Sequence, residues 1–227
     1  MRFFKFFCFS AIAFGASFVQ GALLNVVNTG SPSSNASALG LGKWTLSANP
    51  GGYAATPVNV TTLMSAWYVP SASEGKWISI DANQSLNAPS PVYASGDYRY
   101  ATQFSFGAEA GYALSFDARV FSDNQVKVYL NDVLLTTSGG TDLDGDGLTD
   151  NYQVPVLFSL LESQLANGTN TLRFDVTNGP WNGFSNNPTG LLVDFNASYS
   201  LIPEPASMLM WSLGGLGTFF VRRRLKK

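Results

Sequence analysis

The chain has 227 residues, 45% of them hydrophobic and 12% charged, with no histidine and one cysteine, Cys8. The missing histidine excludes a Ser-His-Asp triad, a His-ligated zinc centre and an imidazole general base, and a single cysteine excludes a disulfide framework within the chain. The formal net charge of −2 averages two basic ends with an acidic middle: between Leu23 and Ile202, six basic residues stand against fourteen acidic ones, a net of −8. A body of that charge offers no basic patch for nucleic acid or an anionic polysaccharide.

At the N-terminus, Arg2 and Lys5 precede an apolar stretch from Phe6 to Val19 and then the small residues Gly21 and Ala22. This order of charge, apolar helix and small residues is that of a secretory signal, so residues 1–21 are expected to be a signal peptide cut after Gly21. Cys8 lies inside the apolar stretch, which leaves the mature protein without any thiol. Residues 23–201 are then one exported domain of roughly 180 residues, long enough to bury about 70% of its unfolded surface without disulfides.

Within that domain the hydrophobic pattern has a period of two. Tyr112, Leu114, Phe116, Ala118 and Val120 alternate with Ala113, Ser115, Asp117, Arg119 and Phe121, as in a strand with one buried face. Val126, Val128 and Leu130 lead into Asn131-Asp132, a pair suited to a tight hairpin, and Val133-Leu134-Leu135 returns. Further strands are predicted over residues 23–28, 43–48, 66–69, 76–80, 99–106, 153–158, 171–177 and 191–201. One short helix is predicted from Ser159 through Leu160, Leu161 and Leu165, stopped by Asn167-Gly168. Trp44, Trp67 and Trp77 fall in strand-like contexts and are expected in the core. Many short antiparallel strands with one apolar face need a second sheet to cover them, so the expected fold class is all-β, an antiparallel jelly roll or β-sandwich.

The sharpest chemical motif is Asp142-Leu143-Asp144-Gly145-Asp146-Gly147-Leu148-Thr149-Asp150. Carboxylates at positions one, three, five and nine, with glycine at six for the turn, can converge on one hard cation, so Asp142, Asp144, Asp146 and Asp150 are expected calcium ligands in an insertion spanning 142–153. Gln153 stands where an EF-hand would have glutamate, so the role expected of calcium is structural. The other reading is a solvated acidic loop without metal. Farther on, Trp181, Asn182, Phe184, Asn186 and Asn187 lie in a polar stretch with no periodic core face. Aromatic faces stack on sugar rings and amides bond hydroxyls, which makes this stretch a carbohydrate-binding candidate, unless Trp181 folds back to plug the sandwich.

No catalytic residue is assigned. A glycosidase could use two carboxylates, and candidates outside the acidic loop include Glu74, Asp81, Asp97, Glu109, Asp117, Asp123, Glu162, Asp175 and Asp194. Most fall on outward strand positions or in turns. The expectation is a non-catalytic protein, the alternative being a secreted carbohydrate-active enzyme working through paired carboxylates.

The chain ends with Ile202-Pro203-Glu204-Pro205, sixteen uncharged residues from Ala206 to Val221, and Arg222-Arg223-Arg224-Leu225-Lys226-Lys227. The uncharged run would cover about 24 Å as a helix, marginal for a hydrocarbon core of ~30 Å, with the basic cluster held on the cytoplasmic side. Pro203, Glu204 and Pro205, an apolar helix over 206–221 and the Arg222, Arg223, Arg224 cluster in this order resemble the PEP-CTERM sorting signal of Gram-negative bacteria. That resemblance implies processing of the 202–227 segment by an exosortase-type membrane enzyme, transient anchoring in the inner membrane, and delivery to the cell surface or a matrix with exopolysaccharide and biofilm. A permanent anchor is the alternative. A second resemblance covers about half the domain. Ala118 to Asp132, then N-G-T-N-T-L-R-F-D-V-T-N and N-P-T-G-L-L-V-D-F, are similar to the galactose-binding-like jelly roll, although Asp132 stands where that family has glycine. This implies the fold, flanked by a signal helix and a transmembrane helix, more than any ligand. Taken together, the sequence predicts an exported envelope or matrix protein, calcium-stabilised, with exopolysaccharide or another carbohydrate as the expected ligand.

Overall fold

The computed structural model describes residues 26–31, 34–85, 93–107, 112–143, 145, 147–179 and 188–201. The signal peptide at 1–21 and the sorting segment at 202–227 with its apolar run 206–221 lie outside the described residues. Among the described residues ten strands form: β1 Trp44–Ala48, β2 Val58–Asn59, β3 Ile78–Ser79, β4 Gly96–Phe106, β5 Tyr112–Asp123, β6 Gln125–Leu130, β7 Val133–Thr137, β8 Val156–Leu161, β9 Gly168–Asn178 and β10 Gly190–Leu201. They make two five-stranded sheets, in the orders β1-β4-β9-β6-β7 and β2-β3-β10-β5-β8, and every strand pairing is antiparallel. The all-β sandwich expected from the alternation is therefore the observed architecture.

The period-two pattern does the sorting. In β9, Leu172, Phe174 and Val176 are buried, while Thr171, Arg173, Asp175 and Thr177 stand on the other face. Opposite them, β5 turns Phe116, Ala118 and Val120 inward and β8 turns Val156, Phe158 and Leu160 inward. Phe104 meets Phe116 edge-on at 5.9 Å and Phe158 meets Phe174 at 6.3 Å, contacts that join one sheet to the other. Burying each such side chain is worth about 1.5–3 kcal/mol. Trp44 closes one side of this core, its Nε1–H donating to the Val27 carbonyl at 2.9 Å. Between β6 and β7, Asn131 and Asp132 take φ of 47° and 66°, the left-handed pair that a two-residue hairpin needs.

Four expectations are corrected. Ser159, Leu160 and Leu161 belong to β8 rather than a helix, because Leu160 pairs with Phe116 and Leu161 with Ser115; the helix shrinks to a 3₁₀ turn over Glu162–Gln164. The spacing of Leu160, Leu161 and Leu165 suits either conformation, and pairing on β5 decides it. Residues 66–69 form a turn and an irregular stretch, with Trp67 N–H donating to the Met64 carbonyl at 3.1 Å. Residues 26–28 are not a strand, although the Asn28 side chain accepts from Phe195 N–H at 2.8 Å and Thr29 N–H donates to the Val193 carbonyl at 3.2 Å. Phe121, on the face opposite Val120, is itself buried. It belongs to a second cluster with Met64, Trp67, Trp77, Tyr152 and Leu192, packed on the outer side of the β2-β3-β10-β5-β8 sheet.

The chain passes between the two sheets from β5 to β6, from β7 to β8 and from β9 to β10. The register places all three passages at the same end of the sandwich, since Asp123 pairs with Gly190, Val120 with Val156 and Gln125 with Thr177. Both stretches that carry binding or metal candidates, 142–153 and 181–187, connect strands at that end.

Candidate functional site

The crossover end is built on a buried polar network. Asp123, Asn124, Asp150, Asn151, Thr189 and Gln84 are all buried there. Placing polar groups in a core is costly unless each finds a partner, and the partners here join separate loops. Asn124 donates from Nδ2 to Asp150 Oδ1 at 2.7 Å and accepts at Oδ1 from Gly179 N–H at 3.0 Å. Thr189 donates its hydroxyl to the Asp123 carbonyl at 3.1 Å and its N–H to Gln84 Oε1 at 3.1 Å. Trp67 Nε1–H donates to Asp123 Oδ2 at 2.7 Å. Asp123 is thus a buried acceptor, not the outward, solvated carboxylate expected from its place beside a turn.

Of the four expected calcium ligands, Asp144 and Asp146 lie outside the described residues. Asp142 accepts at Oδ1 from Gly145 N–H at 2.6 Å and at Oδ2 from Gly147 N–H at 2.9 Å. Gly145 and Gly147 have φ of +80° and +86°, which the tight loop requires and which glycine supplies without strain. Asp150 reaches back to Leu143 N–H at 2.7 Å through Oδ2 while Oδ1 holds Asn124. The two described aspartates therefore close the loop on itself and fasten it to β5–β6. Carboxylate oxygens held by backbone N–H groups occur in hard-cation loops and in metal-free ones alike, and the pair fits either. Among the described residues, no group of three or more His, Cys, Asp or Glu side chains is gathered around one point.

Trp181, Asn182, Phe184, Asn186 and Asn187 also lie outside the described residues. Their flanks are fixed: Gly179 on Asn124, and Thr189 on Gln84 and Asp123. Gly190 follows, where an added Cβ would come within 2.8 Å of the Trp67 ring and 3.2 Å of the Trp77 ring, so the aromatic stack of those two, 4.2 Å apart, requires the bare backbone. Trp44, Trp67 and Trp77 are all buried, as expected.

A second feature lies on the outer face of the β2-β3-β10-β5-β8 sheet. Across three strands the register aligns Asp194, Arg119 and Leu157 in one row and Asn196, Asp117 and Ser159 in the next. Arg119 Nη2 is shared by Glu74 Oε1 and by Asp194 Oδ2, the latter at 2.8 Å. Glu74 also accepts from Ser71 N–H at 2.6 Å and from the Tyr68 hydroxyl at 3.0 Å, and Asp194 Oδ1 from Asn28 Nδ2 at 2.8 Å. The Ser71 N–H and the Arg119 guanidinium hold the Glu74 carboxyl down to about 2, and the same carboxylate raises the Tyr68 hydroxyl. Arg119 is raised in turn by Asp194 and Glu74. The cluster ties the 71–75 turn and the N-terminal segment onto the sheet. It leaves no local signal in the sequence, because the partners of Arg119 lie 45 and 75 residues away from it.

Three carboxylates, Glu74, Asp117 and Asp194, thus line one groove, and a glycosidase needs two. Glu74 does not suit the general-acid role, which requires a carboxyl whose protonated form persists near neutral pH, because it is held at about 2.

No protein-family model and no curated protein matches the chain. Among solved structures, similar stretches occur in an FMN-binding beta-glucuronidase from Facaelibacterium prausnitzii L2-6 (14% identity, 66% of this chain and 21% of that one, TM-score 0.33). Others are a beta-glucosidase from Kluyveromyces marxianus (16%, 45% and 11%, 0.28) and the CBM36-1 domain of a multidomain xylanase from the hindgut metagenome of Trinervitermes trinervoides (12%, 61% and 93%, 0.27). The chain spans less than a quarter of the length of the two enzymes. Likenesses of this size say nothing of ligand or activity.

Proposed function

We propose that the chain is an exported, non-catalytic jelly-roll protein of the galactose-binding-like kind. In this reading the C-terminal signal at Pro203, Glu204, Pro205 and Arg222 to Arg224 hands it to an exosortase-type enzyme, which releases it to the cell surface or extracellular matrix. There it binds carbohydrate through the 181–187 stretch, at the end of the sandwich tightened by calcium in the 142–153 loop. The observation that carries the molecular part is Asn124, whose one buried amide bonds both the Asp150 carboxylate and the Gly179 N–H. A cation ordering the acidic loop would thereby order the entrance to the aromatic stretch. Here Asp142 and Asp150, with Asp144 and Asp146, would supply the ligand oxygens, and calcium would contribute rigidity rather than chemistry.

The acidic surface, the lack of histidine and thiol in the mature domain, and the ionised state of Glu74 favour binding over catalysis. Intact mass of the protein recovered from its native envelope tests delivery: a product ending near Pro203 supports sorting, and a mass that retains Arg222 to Lys227 refutes it. A glycan array probed with and without calcium tests the ligand. Binding that needs calcium and is lost in Trp181→Ala supports the proposal, whereas an array blank under both conditions removes the carbohydrate role.

A further inference from the structure

The groove on the outer face of the β2-β3-β10-β5-β8 sheet is distinct from the crossover end and is not used by anything above except the Glu74–Arg119–Asp194 cluster that forms its wall. We infer that this groove is a binding site for a neutral saccharide of one or two rings. It shares with the proposed function only the class of ligand and does not involve residues 180–187.

The volume fits: the cavity is about 590 Å³, within the range of small-molecule sites. Its floor is rigid, because Asp117 and Arg119 on β5, Asn196 on β10 and Ser159 on β8 occupy paired positions across three hydrogen-bonded strands. Charge then selects the ligand. Glu74, Asp117 and Asp194 outnumber Arg119, so an anionic sugar meets net repulsion. A cation is disfavoured differently. Glu74 and Asp194 each have both oxygens engaged, by Ser71, Tyr68, Arg119, Asn28 and Gly75, and the guanidinium stands between them.

What remains for a ligand is a set of neutral-seeking donors and acceptors. Among the described residues, Asp117 accepts from the Ser159 hydroxyl at Oδ1, 2.6 Å, and none donates to its Oδ2; the Asn196 amide likewise has both ends open there. Toward the described residues Arg119 uses only Nη2, so Nε and Nη1 can still donate, and its side chain is 38% exposed. Leu157, exposed at 67%, provides an apolar wall beside them. A sugar offers hydroxyls that donate and accept at adjacent carbons, with an apolar ring face between. One carboxylate oxygen, one amide and one guanidinium edge over a leucine match that pattern. A charge-assisted hydrogen bond of this kind changes affinity by about tenfold or more.

The test is calorimetric titration of the full chain, in a detergent without sugar headgroups, with cellobiose, lactose, maltose and N,N′-diacetylchitobiose, and in parallel with putrescine and glucuronate. At least one disaccharide should bind with Kd below about 5 mM, and Asp117→Ala and Asn196→Ala should each weaken it about tenfold. Both side chains are exposed, so melting midpoints should match wild type, and Lys127→Ala on the opposite sheet should bind as wild type does. A blank with all four disaccharides overturns the groove site. So does titration by putrescine or glucuronate instead, which would make the ligand class wrong. Binding that survives both groove variants but is lost in Trp181→Ala also overturns it, assigning the sugar to the 181–187 stretch and leaving the proposed function standing.

Discussion

Two acidic regions of this molecule solve the same electrostatic problem differently. On the outer sheet face, Glu74 and Asp194 are balanced by a cationic side chain, Arg119, and the cluster is complete as it stands. At the crossover end, Asp142, Asp150 and Asp123 are met by N–H groups: backbone amides of Gly145, Gly147 and Leu143, the Asn124 amide and the Trp67 indole. Neutral donors orient a carboxylate without cancelling its charge, whereas the guanidinium of the groove wall does both. The difference teaches where a cation would matter and where it would not.

Four experiments break or sharpen that contrast. Asn124→Ala should have the largest effect, because it leaves the Asp150 carboxylate and the Gly179 N–H without their buried partner. A loss of about 3 kcal/mol is expected in denaturant unfolding. Next comes calcium. If the acidic loop binds it, saturating calcium should raise the melting midpoint by about 5 °C or more relative to chelator, and Asp142→Ala should abolish the rise; an unchanged midpoint removes the metal. Trp67→Phe, which keeps most of the ring stack and deletes one donor to buried Asp123, should cost about 2 kcal/mol.

The smallest effect belongs to the groove wall. Arg119→Ala should cost about 1 kcal/mol at neutral pH, since the guanidinium is partly exposed and surface ion pairs contribute little. Its pH dependence has a definite sign. Glu74 is depressed from 4.5 to about 2, so its stabilisation is complete above about pH 4.5 and is lost as pH falls towards 2. Wild type and Arg119→Ala should therefore converge in stability across that window and diverge above it. Calcium should leave the Arg119→Ala deficit unchanged.

The contrast also marks what the sequence could carry. Strands whose sides alternate plainly, such as β5, β6 and β9, and the Asn131-Asp132 hairpin, were legible because their determinants are neighbours in the chain. β8 was half misread, since V-L-F-S-L-L satisfies a buried strand and a short helix alike until β5 is beside it. Phe121 stands on the solvent side of the alternation in β5, and residues 60–77, distant in the chain, fold over that face and cover it. Asp123 and Asn124 gave only a turn signal. Their role comes from Trp67, Asp150, Gly179 and Thr189, which converge from four distant places. The acidic motif itself was visible residue by residue; its attachment to the rest of the end was not.

The central claim is that the acidic loop and the entrance to the aromatic stretch act as one unit through Asn124. Amide hydrogen exchange at Leu143 and Gly179, measured with calcium and with chelator in wild type and Asn124→Ala, tests it most directly. Calcium should slow both amides in wild type and only Leu143 in the variant. Exchange at Gly179 that ignores calcium in wild type while Leu143 responds would contradict the claim, because the loop would then be ordered without its neighbour.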